Sequence, residues 1–238
     1  MTSNPKTLAR LDAVFHRLEA VNSKLGGKPG NTRVTSSKSE FEKLVQQLES
    51  ATVRIESRLK TPGDANGDGS PSVQGFDQVL NDKLAKFFQL CYEIGGDVKD
   101  QAALMKEAFT AQREFLVWVS GRGRQPQDVM STKLKSTSDK ISEVQAFCNS
   151  HRGSKQFNHL SGVSEGVAAL AWVAAPGKPS SFVKEKCDAA QFYTNRVLKD
   201  FKDKEPKHAE WARGLIGALK QLEEYVRDHH SVTLSWGM

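Results

Sequence analysis

The chain has 238 residues, a net charge of +6, 38% hydrophobic residues and 26% charged ones. This length accommodates one domain of about 150 residues with an appendage, and excludes several large domains. Its charge comes from Lys and Arg mixed with acids in nearly every segment, without the dense basic, aromatic-rich run of a nucleic-acid binder. The best apolar stretch, residues 167–175, is about half the roughly 20 residues of a membrane-spanning helix.

The N-terminus carries Lys6, Arg10 and Asp12 but no apolar region followed by a cleavage site, so no signal peptide and a cytoplasmic location are expected. Leu8, Leu11, Phe15, Leu18 and Leu25 recur at spacings of three and four, broken by Asn22. They predict an amphipathic helix over 7–24 inside an oligomerisation segment, 1–25, too short to be stable unpaired. Gly26, Gly27, Pro29 and Gly30 break it, and 26–38 reads as a flexible linker.

Ser39 is a plausible N-cap for a second coiled-coil-like helix, 39–60, with Phe41, Leu44, Leu48, Ile55 and Leu59 as its stripe. Leu11-Asp12 with Leu18-Glu19 and Leu48-Glu49 with Ile55-Glu56 form a degenerate repeat that sets each acid beside an apolar seam. Leu11, Leu18, Leu48 and Ile55 are the candidate oligomerisation residues; docking of these helices onto the main domain is the competing reading. A second linker, 61–72, contains Asp64, Asn66, Asp68 and Gly69, which match the opening of a calcium loop. Gly75 stands where the bidentate Glu belongs and Pro71 replaces the usual aliphatic residue, so a linker is the better account.

From 73 to 238 the pattern is helical throughout. Stripes predict helices over 73–94, 98–120, 126–149, 157–172, from Ser180 or Ser181 to 201, and from Pro206 to about 226, with breaks at Gly95-Gly96, Gly121 to Gly123, His151 to Lys155 and Pro176 to Pro179. No period-two alternation interrupts them. The expected fold is all-α, an antiparallel six-helix bundle preceded by short amphipathic, coiled-coil-forming helices. Cys91, Cys148 and Cys187 fall inside apolar patterns and read as reduced core thiols.

Residues that could carry chemistry are not at usable spacing, and neither an enzyme, a metal nor a cofactor is expected. Gly121-Arg122-Gly123-Arg124 lacks the Lys-Ser/Thr of a phosphate loop and reads as a turn with a basic rim. His229 and His230 are adjacent, so they point about 100 degrees apart on a helix and form no zinc pair. Cys148 and His151 lack an orienting group and an oxyanion hole. The segment His151 to Leu160 differs in kind: Arg152, Lys155, Asn158 and His159 offer charge and hydrogen bonds, while Phe157 and Leu160 can anchor it. Such a segment on a rigid support suits protein recognition, with a solvated helix start as the bland alternative.

The blocks CYEIGGDV, RGSKQFNHLSGV, Ala171-Trp172-Val173-Ala174 and DAAQFYTNRVLK resemble the N-terminal helical domain of the cyclase-associated proteins, over about 73–236. LVQQLESATVRIES, residues 44–57, is similar to the short coiled coil that opens members of that family. The family's repeated Arg-Leu-Glu unit departs here to Gln47-Leu48-Glu49 and Arg54-Ile55-Glu56, whereas Arg10-Leu11-Asp12 and Arg17-Leu18-Glu19 follow it more closely. The resemblance implies a self-associating six-helix bundle that acts with ADF/cofilin on actin filaments, promoting severing and pointed-end depolymerisation without covalent chemistry. It also implies, as the alternative, a signalling adaptor whose N-terminal helices bind adenylyl cyclase. The family's proline-rich and β-structured C-terminal regions have no counterpart here, so the chain is expected to be an N-terminal fragment. Arg152, Lys155, Asn158 and His159 are the first candidate contacts, and Arg122 and Arg124 a second patch.

Overall fold

The structure, a computed structural model, describes residues 69–201 and 204–237. The expected segments 1–25, 26–38 and 39–60, most of the linker 61–72 and the residues Leu11, Leu18, Leu48 and Ile55 lie outside that range. Among the described residues the fold is all-α, without strands. Helix α1 (Pro71–Asn81) is followed by α2 (Lys83–Ile94), α3 (Gly96–Ser120), α4 (Gln127–Ser150), α5 (Phe157–Val167), a 3-10 segment (Ala168–Val173), α6 (Pro179–Phe201) and α7 (Pro206–His229). Counting α1 and α2 as one interrupted rod, these are the six rods expected from the stripes.

Local chemistry explains the ends. Ser70 caps α1 by accepting the Val73 N–H at 3.3 Å, and Pro71 occupies an early position where a missing N–H costs nothing. The rod predicted over 73–94 is broken at Asp82, whose backbone leaves the helical region at φ −107°, ψ −102°. Gln221 of α7 closes the gap: its Oε1 accepts from the Lys83 N–H and its Nε2 donates to Asp82 Oδ2, both at 3.3 Å. The helix predicted over 157–172 tightens into the 3-10 segment after Val167. Ala169 and Trp172, three residues apart, are both buried there, as winding with about three residues per turn requires.

Helix α7 packs against α1, α2, α5 and α6, and α3 packs against α1, α2, α4 and α5. Trp211, Leu215, Leu219, Leu222 and Val226 form the apolar face of α7 and are wholly buried. Aromatic edges bind the elements together: Phe76 meets Tyr225 edge-on at 5.4 Å and Phe87 lies 5.6 Å from Trp211. The Trp211 indole N–H donates to Cys91 Sγ at 3.1 Å. Cys91, Cys148 and Cys187 are all buried free thiols, as the sequence suggested.

Close approach sets one position on α5. A Cβ at Gly166 would lie 3.0 Å from Leu219 Cδ1, whereas one at Gly162 would make ordinary contact with Thr194 Cγ2 at 3.4 Å. Helix α7 therefore sits this near α5 because Gly166 lacks a side chain. Gly166→Leu is expected to cost about 2–3 kcal/mol through overpacking. By contrast, Gly217→Ala places its Cβ in ordinary contact with Lys83 Cδ at 3.7 Å and is expected to gain roughly 0.5–1 kcal/mol of helix propensity. Urea denaturation of both variants checks the opposite signs.

Candidate protein-interaction site

The turn between α4 and α5 is tied to the start of α3 by side chains some sixty positions away in sequence. Gly95 precedes α3 and has no side chain to cap it. Gln156 does so instead, its Oε1 accepting the Val98 N–H at 3.2 Å and its Nε2 donating to the Gly95 carbonyl at 3.5 Å. Gly96 has φ +56°, and a Cβ there would lie 3.0 Å from Gln156 Oε1, so glycine is needed both for the backbone and for this approach. Ser154 Oγ donates to Asp97 Oδ2 at 2.6 Å and accepts the Gln156 N–H at 3.0 Å. The GGDV and RGSKQF blocks thus meet in one fastened corner.

Arg152 and Lys155 project from that corner and are exposed. Arg152 donates to Asn149 Oδ1 at 3.1 Å, and half-buried Asn158 donates to Asp200 Oδ2 at 3.5 Å, which orients its amide across the α5–α6 junction. His159 does not join this face: it is 1% exposed and turned into the core. Its place beside Leu160 and four residues before Val163 puts it on the buried stripe of α5, and this corrects its expected surface role. The sequence had not singled out Ser154, Gln156 or Asp97, which hold the exposed pair in place, because nothing in a local pattern records so distant a contact.

Arg122 and Arg124 lie in the turn at the other end of α4. That helix has 24 residues, about 36 Å at 1.5 Å per residue, so the two basic turns do not form one surface. Arg122 is half-buried, with its guanidinium 5.4 Å from the Trp118 ring centre and its Nη1 donating to the Trp118 carbonyl at 3.1 Å. Arg124 is exposed. Trp236 meets Trp118 edge-on at 6.0 Å, and the Gly237 N–H donates to the Val119 carbonyl, so the C-terminal segment covers this turn.

The histidines are engaged internally. His159 Nε2 lies 2.8 Å from His208 Nδ1, and His208 Nε2 lies 3.2 Å from Glu205 Oε2. With the His208 proton on Nε2, facing the carboxylate, its Nδ1 accepts from His159. His230 Nδ1 accepts the Ser235 N–H at 3.1 Å, which leaves its Nε2–H to donate to the Tyr225 oxygen at 2.9 Å. His151 stacks on Phe147 and bonds that residue's carbonyl at 2.8 Å, while Cys148 faces Ser161, so they make no nucleophile pair. Among the described residues, no three His, Cys, Asp or Glu side chains are grouped to hold a metal, and no helix is long and apolar enough to cross a membrane.

A family model described as CAP, N-terminal domain, matches residues 76–234. The chain is similar to adenylyl cyclase-associated protein 2 of Mus musculus, 41% identical over 203 residues, covering 81% of this chain and 43% of that protein. It is also similar to adenylyl cyclase-associated protein 1 of Homo sapiens, 38% identical over 205 residues, covering 83% of this chain and 43% of that protein. The chain therefore spans less than half the length of these curated relatives. Its fold is similar to the N-terminal domain of the adenylyl cyclase-associated protein from Dictyostelium discoideum, with a TM-score of 0.67, 29% identity, and 69% of this chain and 94% of that one covered. A crystal structure of the N-terminal domain of CAP, described as indicating variable oligomerisation, gives a TM-score of 0.67 at 30% identity, covering 72% of this chain and 92% of that one.

Burial and the neighbouring His208 push His159 down to about 4, and burial, with His229 adding to it, does the same for His230. In the unfolded chain both titrate near 6.5. The unfolded state thus takes up protons that the folded state refuses. Stability is full above about pH 6.5 and falls as the pH drops toward 4, by roughly 2–3 kcal/mol per histidine. Urea midpoints between pH 7 and 4.5 should show this fall, and His159→Gln should remove about half of it.

Proposed function

Because the chain belongs to the cyclase-associated protein family through that family's N-terminal domain, we propose that it is a non-catalytic adaptor. In this reading its N-terminal segments self-associate and hold an adenylyl cyclase, while the bundle docks a further protein. The observation that carries it is the 41% identity to a relative named for association with adenylyl cyclase. The relatives are more than twice as long as the match, so the experiment uses this chain alone. Immobilised chain is expected to retain adenylyl cyclase from a matched cell extract. Replacing Leu11, Leu18, Leu48 and Ile55 by Asp should lower both the sedimenting mass and the retained cyclase. Unchanged mass would remove these four positions as the seam.

A second reading rests on Arg152, Lys155 and Asn158, which offer two cations and an oriented amide on a fastened turn. Here the bundle binds cofilin-decorated actin filaments and favours a loosened end subunit over a packed one, which speeds severing and pointed-end loss. Arg124 supplies a second, separate contact in this reading, and Arg122 acts mainly by holding its own turn. The reading needs no cofactor. Arg152→Glu with Lys155→Glu should leave the helical circular dichroism spectrum intact and slow depolymerisation of cofilin-coated filaments about tenfold. Equal rates for parent and variant would exclude the turn as the contact.

A further inference from the structure

A groove of about 250 Å³ runs between α6 and α7 on the outer side of the bundle. Leu198, Ile216 and Gly217 form part of its floor, and Arg213 and Lys220 stand on its α7 side. Among the described residues no carboxylate lines it. Both cations are exposed, and neither makes an ion pair among the described residues. On the neighbouring exposed face of α6, Phe192 is 55% exposed and carries the Arg196 guanidinium 4.4 Å from its ring centre.

From these features we infer that the α6–α7 groove is a docking site for an acidic, amphipathic helical segment of a partner protein. The groove spans Arg213 to Lys220 on α7, seven residues or about 10 Å, which is two helical turns. An incoming helix of that length presents apolar side chains at i and i+4 to Leu198, Ile216 and the space above Gly217. Its flanking carboxylates then meet Arg213 and Lys220, while Gln191 and Asn195 line the α6 side. Apolar burial supplies affinity while the cations fix orientation and exclude basic segments. Gly217 lines the groove without a side chain, and a Cβ there would meet only Lys83 Cδ within 4 Å, so the space above it is open. This site is independent of the reading given to the turn after α4.

The test uses the full chain and a fluorescent synthetic peptide with Leu and Phe four residues apart between Glu residues, followed by anisotropy. The expected result is saturable binding, about tenfold weaker for Arg213→Glu with Lys220→Glu. Gly217→Leu, which fills the floor and leaves every charge in place, should weaken binding too. Arg152→Glu with Lys155→Glu should bind as the parent does, which separates this site from the other. Absence of saturable binding, equal binding of an all-Glu peptide, or retention of affinity within about twofold by both groove variants overturns the inference. It is equally overturned if Arg213→Glu with Lys220→Glu lowers the sedimenting mass, since a second copy of the chain would then occupy the groove.

Discussion

Burial of one face of α7 is the constraint on which the rest of this bundle depends. Trp211, Leu215, Leu219, Leu222 and Val226 follow spacings of four, four, three and four and are all removed from solvent. Four other helices pack against α7, so their positions are fixed with respect to one another through it. Packing alone does not make that arrangement specific. Gln221 at the break between α1 and α2 and the indole of Trp211 on Cys91 add directional bonds that a slid or rotated helix would lose.

The fastened corner at Gln156 plays a corresponding part for the exposed surface. A turn carrying Arg152 and Lys155 would ordinarily lose conformational freedom on binding, at a cost in affinity. Here Ser154 and Gln156 have already fixed its backbone against α3, so only the two long side chains remain to be ordered. Asp97 also sits in the first turn of α3, where a negative charge is favoured by the helix dipole. The same bonds that end one helix and begin another therefore present the candidate contacts on a rigid support.

The helices were legible because their stripes are long and their breaks carry glycine or proline. The break at Asp82 was less visible: buried positions step from Val79 to Leu84, a gap of five, but half-buried Leu80 disguises the change of phase. Arg152 and Lys155 were identified from their chemistry, whereas His159 was misread because its polarity outweighed its position on the stripe of α5. Gln156 as the cap of α3 could not be read at all, since the partner is 58 residues away. The groove beside Gly217 likewise belongs to two helices together and to neither sequence segment alone.

The buried thiols make the folded domain chemically quiet. Cys91 is pushed up to about 12 by burial, which outweighs the opposing bond from Trp211, and Cys187 is also raised by burial. A thiolate is the form that oxidants and alkylating reagents attack. The sulfurs of Cys91 and Cys187 are thus held as thiols while α2 and α6 stay packed. Oxidative stress would spare the intact domain and mark molecules that have come apart, while timed alkylation followed by mass spectrometry would report which rod separates first.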